Sequence, residues 1–94
     1  MVQYWGTGRT GITQSAAYTG TAGTITNAIS AGVKKARISV TSAAYIKVGV
    51  APTATTSDVY MAADAPESVT VSPGEKVSAI QVSTGGTLKV TELP

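Results

Sequence analysis

From Lys34 onward, apolar and polar side chains alternate residue by residue in short runs, the period of a strand with one buried face. Ile38 and Val40 fall on one side, with Arg37, Ser39 and Thr41 on the other. The alternation returns with Ala44, Ile46, Val48 and Val50 against Tyr45, Lys47 and Gly49, again in Ser68-Val69-Thr70-Val71-Ser72, and again with Leu88 and Val90. Strands that are apolar on one face bury that face by stacking one sheet on another, so the pattern predicts an all-β chain. The only stretch that could line a helix is Thr26 to Lys35, through Ala28, Ile29 and Val33, and Gly32 and the β-branched residues weaken it.

Breakers separate the runs. Pro52 lacks the donor a central strand needs and begins a connection over residues 50–57 that leads into a strand from Asp58 to Ala62. Asp64-Ala65-Pro66 ends that strand. In Ser72-Pro73-Gly74-Glu75, proline presets the first φ and glycine accepts the positive second one, which predicts a type II turn. Lys76 to Val82 carries Val77 and Ala79 in one phase and Ile80 and Val82 in the other, as in a strand covered on both faces or interrupted by a bulge. Ser83-Thr84-Gly85-Gly86 predicts a tight hairpin into Thr87 to Glu92.

Residues 1–32 have a different texture, with six of the ten glycines. Gly11-Ile12-Thr13-Gln14 and residues Gly23 to Ile29 are β-prone, with a turn over Thr19 to Gly23 between them, which reads as an extended arm followed by a hairpin. The whole adds up to one domain over residues 1–94: a small antiparallel β-sandwich or jelly-roll-like domain of seven to eight short strands. Its arm covers residues 1–11, and its best-defined strands lie in 34–94.

Chemistry is sparse. The chain has no His and no Cys, so thiolate and imidazole metal sites and the usual nucleophile and base pairs are excluded. Its five acids, Asp58, Asp64, Glu67, Glu75 and Glu92, fall at turns or strand ends and match no calcium-loop spacing. A literal G-x-G-x-x-G occurs at Gly6-Thr7-Gly8-Arg9-Thr10-Gly11, but no hydrophobic strand precedes it and no helix follows, so a dinucleotide has no βαβ unit to bind. The expectation is a chain without enzyme activity, cofactor or metal. Residues 1–6 lack the basic start and apolar core of a secretory signal, and no run approaches the length that spans a bilayer, so no membrane partner is expected.

The remaining candidates are contact residues. A 94-residue domain without disulfides has a modest core and gains from association. Its aromatics are Tyr4, Trp5, Tyr18, Tyr45 and Tyr60 alone, and Tyr and Trp are common anchors at interfaces. Tyr4, Trp5, Tyr18 and Tyr60 are therefore the candidate protein contacts, with Tyr4 and Trp5 on an arm that has no core of its own. Lys34, Lys35 and Arg37 form one basic patch, which with Tyr45 and Lys47 on a neighbouring strand could touch phosphate. A formal net charge of only +2 makes nucleic acid an unlikely partner.

Residues 44–93 carry a further sign: Ala44-Tyr45-Ile46-Lys47-Val48-Gly49, Ala54-Thr55-Thr56-Ser57-Asp58-Val59-Tyr60-Met61, Val71-Ser72-Pro73-Gly74-Glu75-Lys76-Val77-Ser78-Ala79-Ile80-Gln81 and Gly86-Thr87-Leu88-Lys89-Val90-Thr91-Glu92-Leu93. About half the chain thus resembles the small all-β virion proteins of tailed bacteriophages, the head decoration or cement proteins and related subunits. The resemblance implies a structural protein of the virion, assembled in the host cytoplasm, with its own copies or a phage coat protein as partner. A carbohydrate- or receptor-binding β-sandwich module of a virion is the alternative. The resemblance brings no catalytic or binding residue with it.

Overall fold

The computed structural model describes residues 11–93. Its eight strands are β1 (Thr13–Tyr18), β2 (Gly23–Thr24), β3 (Lys35–Val40), β4 (Ala44–Gly49), β5 (Val59–Met61), β6 (Glu67–Thr70), β7 (Lys76–Gln81) and β8 (Gly86–Leu93). Two antiparallel four-stranded sheets result, β1-β8-β3-β6 and β2-β7-β4-β5. The pairing is nested, the first strand with the last, the second with the seventh, the third with the sixth and the fourth with the fifth. Among the described residues there is no helix. Of the helix candidate Thr26 to Lys35, residues 26–34 form turns and irregular backbone and Lys35 begins β3.

Alternation along the strands sets which side chains meet between the sheets. Ala36, Ile38 and Val40 of β3 and Leu88 and Val90 of β8 point inward from the first sheet. Ala44 and Ile46 of β4, Met61 of β5 and Val77 and Ala79 of β7 meet them from the second. Register holds this core together, because a slip by one residue would turn each inward set to solvent.

The turn at Ser72 to Glu75 is as expected: Gly74 has φ +89° and the Glu75 N–H donates to the Ser72 carbonyl at 3.1 Å. Two other local expectations are corrected. Ser83 to Gly86 does not close a hairpin, since β7 and β8 lie in different sheets and the segment arches from one to the other. The glycines there serve close packing: a Cβ on Gly86 would stand 2.6 Å from Thr41 Oγ1 and 2.7 Å from the Tyr18 hydroxyl. β1 and β2 likewise form no hairpin with each other, pairing instead with β8 and β7. They do close one side of the sandwich, where Gly23 packs so tightly that a Cβ would lie 1.9 Å from the Ala17 carbonyl oxygen.

β7 is covered on both faces only from Val77 to Ala79, whereas Ile80 is half-buried and Val82 beyond the strand is exposed, so the reading of a strand buried on both faces holds for part of it. Ala79 packs inward, while Ser78 on the outer side is buried beneath the 50–57 connection and accepts a 3.0 Å hydrogen bond from the Ala54 N–H. Thr24 Oγ1 donates to the Pro52 carbonyl in the same place.

Candidate functional site

The two outer faces of the sandwich differ in chemistry. On the β2-β7-β4-β5 sheet, Tyr45 stands between Tyr60 on β5 and Ile80 on β7, each directly opposite it in register. The Tyr45 and Tyr60 rings meet edge to face with centroids 6.2 Å apart, a favoured geometry for aromatic pairs. One pair further along, Val82 bonds Ala43 and extends the apolar surface. Tyr60 remains 56% exposed and Val82 40%. Val59 at the start of β5 is also exposed, but it is opposite the core residue Ile46 and in phase with Met61, so it lies at the edge and not on the face of Tyr60. The next row holds Lys47 and Ser78, where the 50–57 connection rises over the sheet and bounds the patch. The result is a shallow apolar shelf beside the outer edge of β5, which no other strand among the described residues pairs with.

The outer face of the β1-β8-β3-β6 sheet is cationic and rich in hydroxyls. Lys35 and Arg37 of β3 point outward, as does Lys89 of β8, which is opposite Ser39 and diagonal to Arg37. Thr13, Ser15, Ser68, Thr70 and Thr91 fill the positions between them. In the one hydroxyl pair on this face, Thr13 Oγ1 and Thr91 Oγ1 lie 3.0 Å apart.

These placements reassign several sequence-derived candidates. Tyr60 is on the surface as expected. Tyr18 is not a surface contact, being 2% exposed, with its hydroxyl donating to the Ser42 carbonyl and accepting from the Ser42 N–H at 3.2 Å. Its ring is a core residue because that hydroxyl finds backbone partners at the wall of the sandwich. Tyr4 and Trp5 lie outside the described residues, as does nearly all of the arm and its glycine motif. Lys35 and Arg37 share a face with Lys89 and not with Tyr45 and Lys47, whose strand belongs to the other sheet. Lys34 precedes β3, and its carbonyl receives the Val71 N–H. Ile80, Val82, Val59 and Lys89 are the residues that sequence reasoning missed. For Lys89 no local signal existed, since β3 and β8 are far apart in the chain.

Among the described residues two polar side chains, Ser78 and Glu92, are buried. Ser78 is spent on Ala54. Glu92 is 3% exposed, and its Oε2 accepts from both the N–H and the hydroxyl of Ser30 at 3.0 Å, tying the 29–33 loop to β8. A carboxylate held in this way is a structural clasp. Asp58 makes a similar local tie, accepting from the Thr55 N–H at 2.7 Å and from its hydroxyl at 3.2 Å. Among the described residues no enclosed pocket forms, no group of three acids converges on a metal position, and no helix is long and apolar enough to cross a membrane.

Compared with known proteins, the chain matches no family model, no curated protein and no solved structure. The function must therefore be argued from the surfaces themselves.

Proposed function

We propose that the chain is a non-catalytic structural subunit of a bacteriophage virion, a capsid decoration or cement protein or a similar assembly subunit. It acts through protein-protein contacts with copies of itself, a coat protein or both. The observation that carries this reading is the apolar shelf of Tyr45, Tyr60, Ile80 and Val82, set beside a strand edge that among the described residues pairs on one side only. Large apolar side chains grouped at an open edge suit docking with another protein.

Three further points support the reading. The nested pairing is that of a strand ribbon folded over on itself, which we read as a jelly roll, an architecture shared by viral capsid and lectin domains. That association is at the level of fold and weighs less than the surface. The resemblance of residues 44–93 to phage virion proteins points the same way. The weakly charged, hydroxyl-rich composition suits a surface that spends its life against other protein.

The carbohydrate-binding alternative uses the same exposed Tyr60, since an aromatic ring can stack on a sugar. On an open shelf that stacking would be one-sided, whereas small-ligand sites are concave and bury most of their ligand. Native mass spectrometry of the purified chain, run beside a glycan array with Tyr60→Ala as control, separates the readings. A defined oligomer with no glycan retained supports the assembly subunit. Glycan binding that Tyr60→Ala abolishes in a monomeric protein would replace it with the binding module.

A further inference from the structure

The apolar shelf lacks a partner within the described chain, and the same sequence holds a segment suited to it. Residues 1–8, Met-Val-Gln-Tyr-Trp-Gly-Thr-Gly, contain Val2, Tyr4 and Trp5 and no charged side chain. The Tyr60, Tyr45 and Ile80 row is likewise uncharged, with Lys47 only in the adjoining row. Among the described residues β5 has β4 as its single neighbour, so its outer edge offers backbone groups to an added extended segment whose aromatic side chains would continue the row.

Reach decides which copy supplies that segment. Gly11 leaves β1 beside Glu92, to whose carbonyl its N–H donates at 2.7 Å. Glu92 also holds Ser30, and the neighbouring Ile29 N–H donates to the Glu75 carbonyl, so Gly11 sits at the Glu75 end of the sandwich. Ile80, in the aromatic row, is five residues along β7 from Glu75. β1 stacks beside β2, and Tyr60 is three strands away across the sheet, on β5. One sheet-to-sheet step of about 10 Å, and the diagonal of about 22 Å made by three strand spacings and that length of strand, give a surface path of about 30 Å. Six residues carry Trp5 back from Gly11, about 20 Å when fully extended. The 50–57 connection, raised over Ser78, stands in the way as well.

We infer that the shelf formed by Tyr60, Tyr45, Ile80 and Val82, with the free edge of β5, receives residues 2–5 of a second copy of this chain, Tyr4 and Trp5 being the anchors. The contact is heterologous, since an arm on one copy meets a shelf on the next, and such contacts build closed rings or open strings. This rests on the assembly reading above and gives it a donor and an acceptor.

Complementation tests it. An arm variant, Tyr4→Ser with Trp5→Ser, and a shelf variant, Tyr60→Lys with Val82→Lys, are made in the full chain and measured by native mass spectrometry, alone and mixed in equal amounts. Thermal melts by circular dichroism confirm that each is folded, and Tyr60→Ser alone replaces the shelf variant if the double lysine change unfolds it. The expected result is an oligomeric wild type, variants whose assembly midpoint rises at least about thirtyfold as for loss of an aromatic hot spot, and a two-chain species that returns only in the mixture. With Tyr60→Ser as the shelf variant, the same pattern is expected. An oligomer that survives in both variants overturns the inference while leaving the assembly reading intact. Two monomeric variants that do not rescue each other overturn arm exchange in favour of a symmetric contact. A monomeric wild type whose Trp5 fluorescence changes on Tyr60→Lys overturns it in favour of docking within one chain. A monomeric wild type without that change overturns both the inference and self-assembly, leaving a coat protein as the partner to seek.

Discussion

Replacing Tyr18 by Phe keeps the ring that fills the core and removes only the hydroxyl. In the folded chain that hydroxyl donates to the Ser42 carbonyl and accepts from the Ser42 N–H, joining the end of β1 to the turn between β3 and β4. Both Ser42 backbone groups lose their partner at once in Tyr18→Phe. Each buried polar group left unpaired costs about 1–3 kcal/mol, and partial access of water at this half-covered turn places the total near 2 kcal/mol. For a domain of this size, 1 kcal/mol moves the melting temperature by about 4–8 °C, so a fall of about 8–16 °C is expected. Differential scanning calorimetry on wild type and variant measures it, and amide exchange at Ser42 shows whether the loss is local. A melting temperature within about 2 °C of wild type would refute the reasoning, because 2 kcal/mol cannot produce so small a shift in a domain this small. It would mean that water replaces the hydroxyl at no net cost and that Tyr18 is a ring and nothing more.

Other perturbations read other parts of the fold. Gly23→Ala drives a methyl into the Ala17 carbonyl and should destabilise by about 3 kcal/mol or prevent folding, measured by urea unfolding. Ser78→Ala strands the buried Ala54 N–H; a loss of about 1–3 kcal/mol is expected, with the fastest new amide exchange at Ala54 and its neighbours in the 50–57 connection. Glu92→Ala removes both bonds to Ser30 and leaves a void at the end of β8, so urea unfolding should show a loss of about 2–4 kcal/mol. Glu92→Gln, which keeps an acceptor oxygen, should recover more than half of that; equal losses would show that the charge matters and not the bonds.

What the sequence made legible was phase. Ile38, Val40, Ala44, Ile46, Leu88 and Val90 all point into the core as their alternation predicts, since burial of one face fixes the inward set wherever a strand lies. Val48 is only partly buried and Val50, expected in the same inward set, is exposed because β4 ends at Gly49. Sheet membership was not legible. Ser83 to Gly86 has the composition of a hairpin, yet here the same small residues let an arch pass close to Tyr18 and Thr41, and local turn chemistry does not distinguish the two uses. β2 is a two-residue strand held by β7, too short to leave a period. The candidate surfaces suffered from the same gap. Lys35 and Arg37 gained Lys89 and lost Lys47 because faces are composed by strands distant in sequence, and Ile80 became part of the aromatic shelf only once β7 was seen to lie beside β4.

The edges of the sandwich give the strongest reason to look for a partner at β5. Exposed strand edges invite pairing, and folded proteins blunt them with prolines, charges or coverage. On one side the β1 and β2 edges are stacked against each other, with no room for even a methyl at Gly23. On the other side, β6 is preceded by Pro66 and begins with the exposed Glu67. Among the described residues β5 has no such guard. The nearest charge, Asp58, is occupied with the Thr55 N–H and hydroxyl and caps the approach loop. Beyond it stand Val59 and Tyr60, both exposed, followed by Met61 in the core. Among the described residues one edge pair is sealed and a third edge guarded, while apolar side chains line the fourth, which is where the proposed association has its best opening. A charge placed on that edge, as in Val59→Lys, should abolish assembly and leave the melting temperature of the fold within a few degrees, since a surface substitution away from the core changes stability by about 0.5 kcal/mol or less.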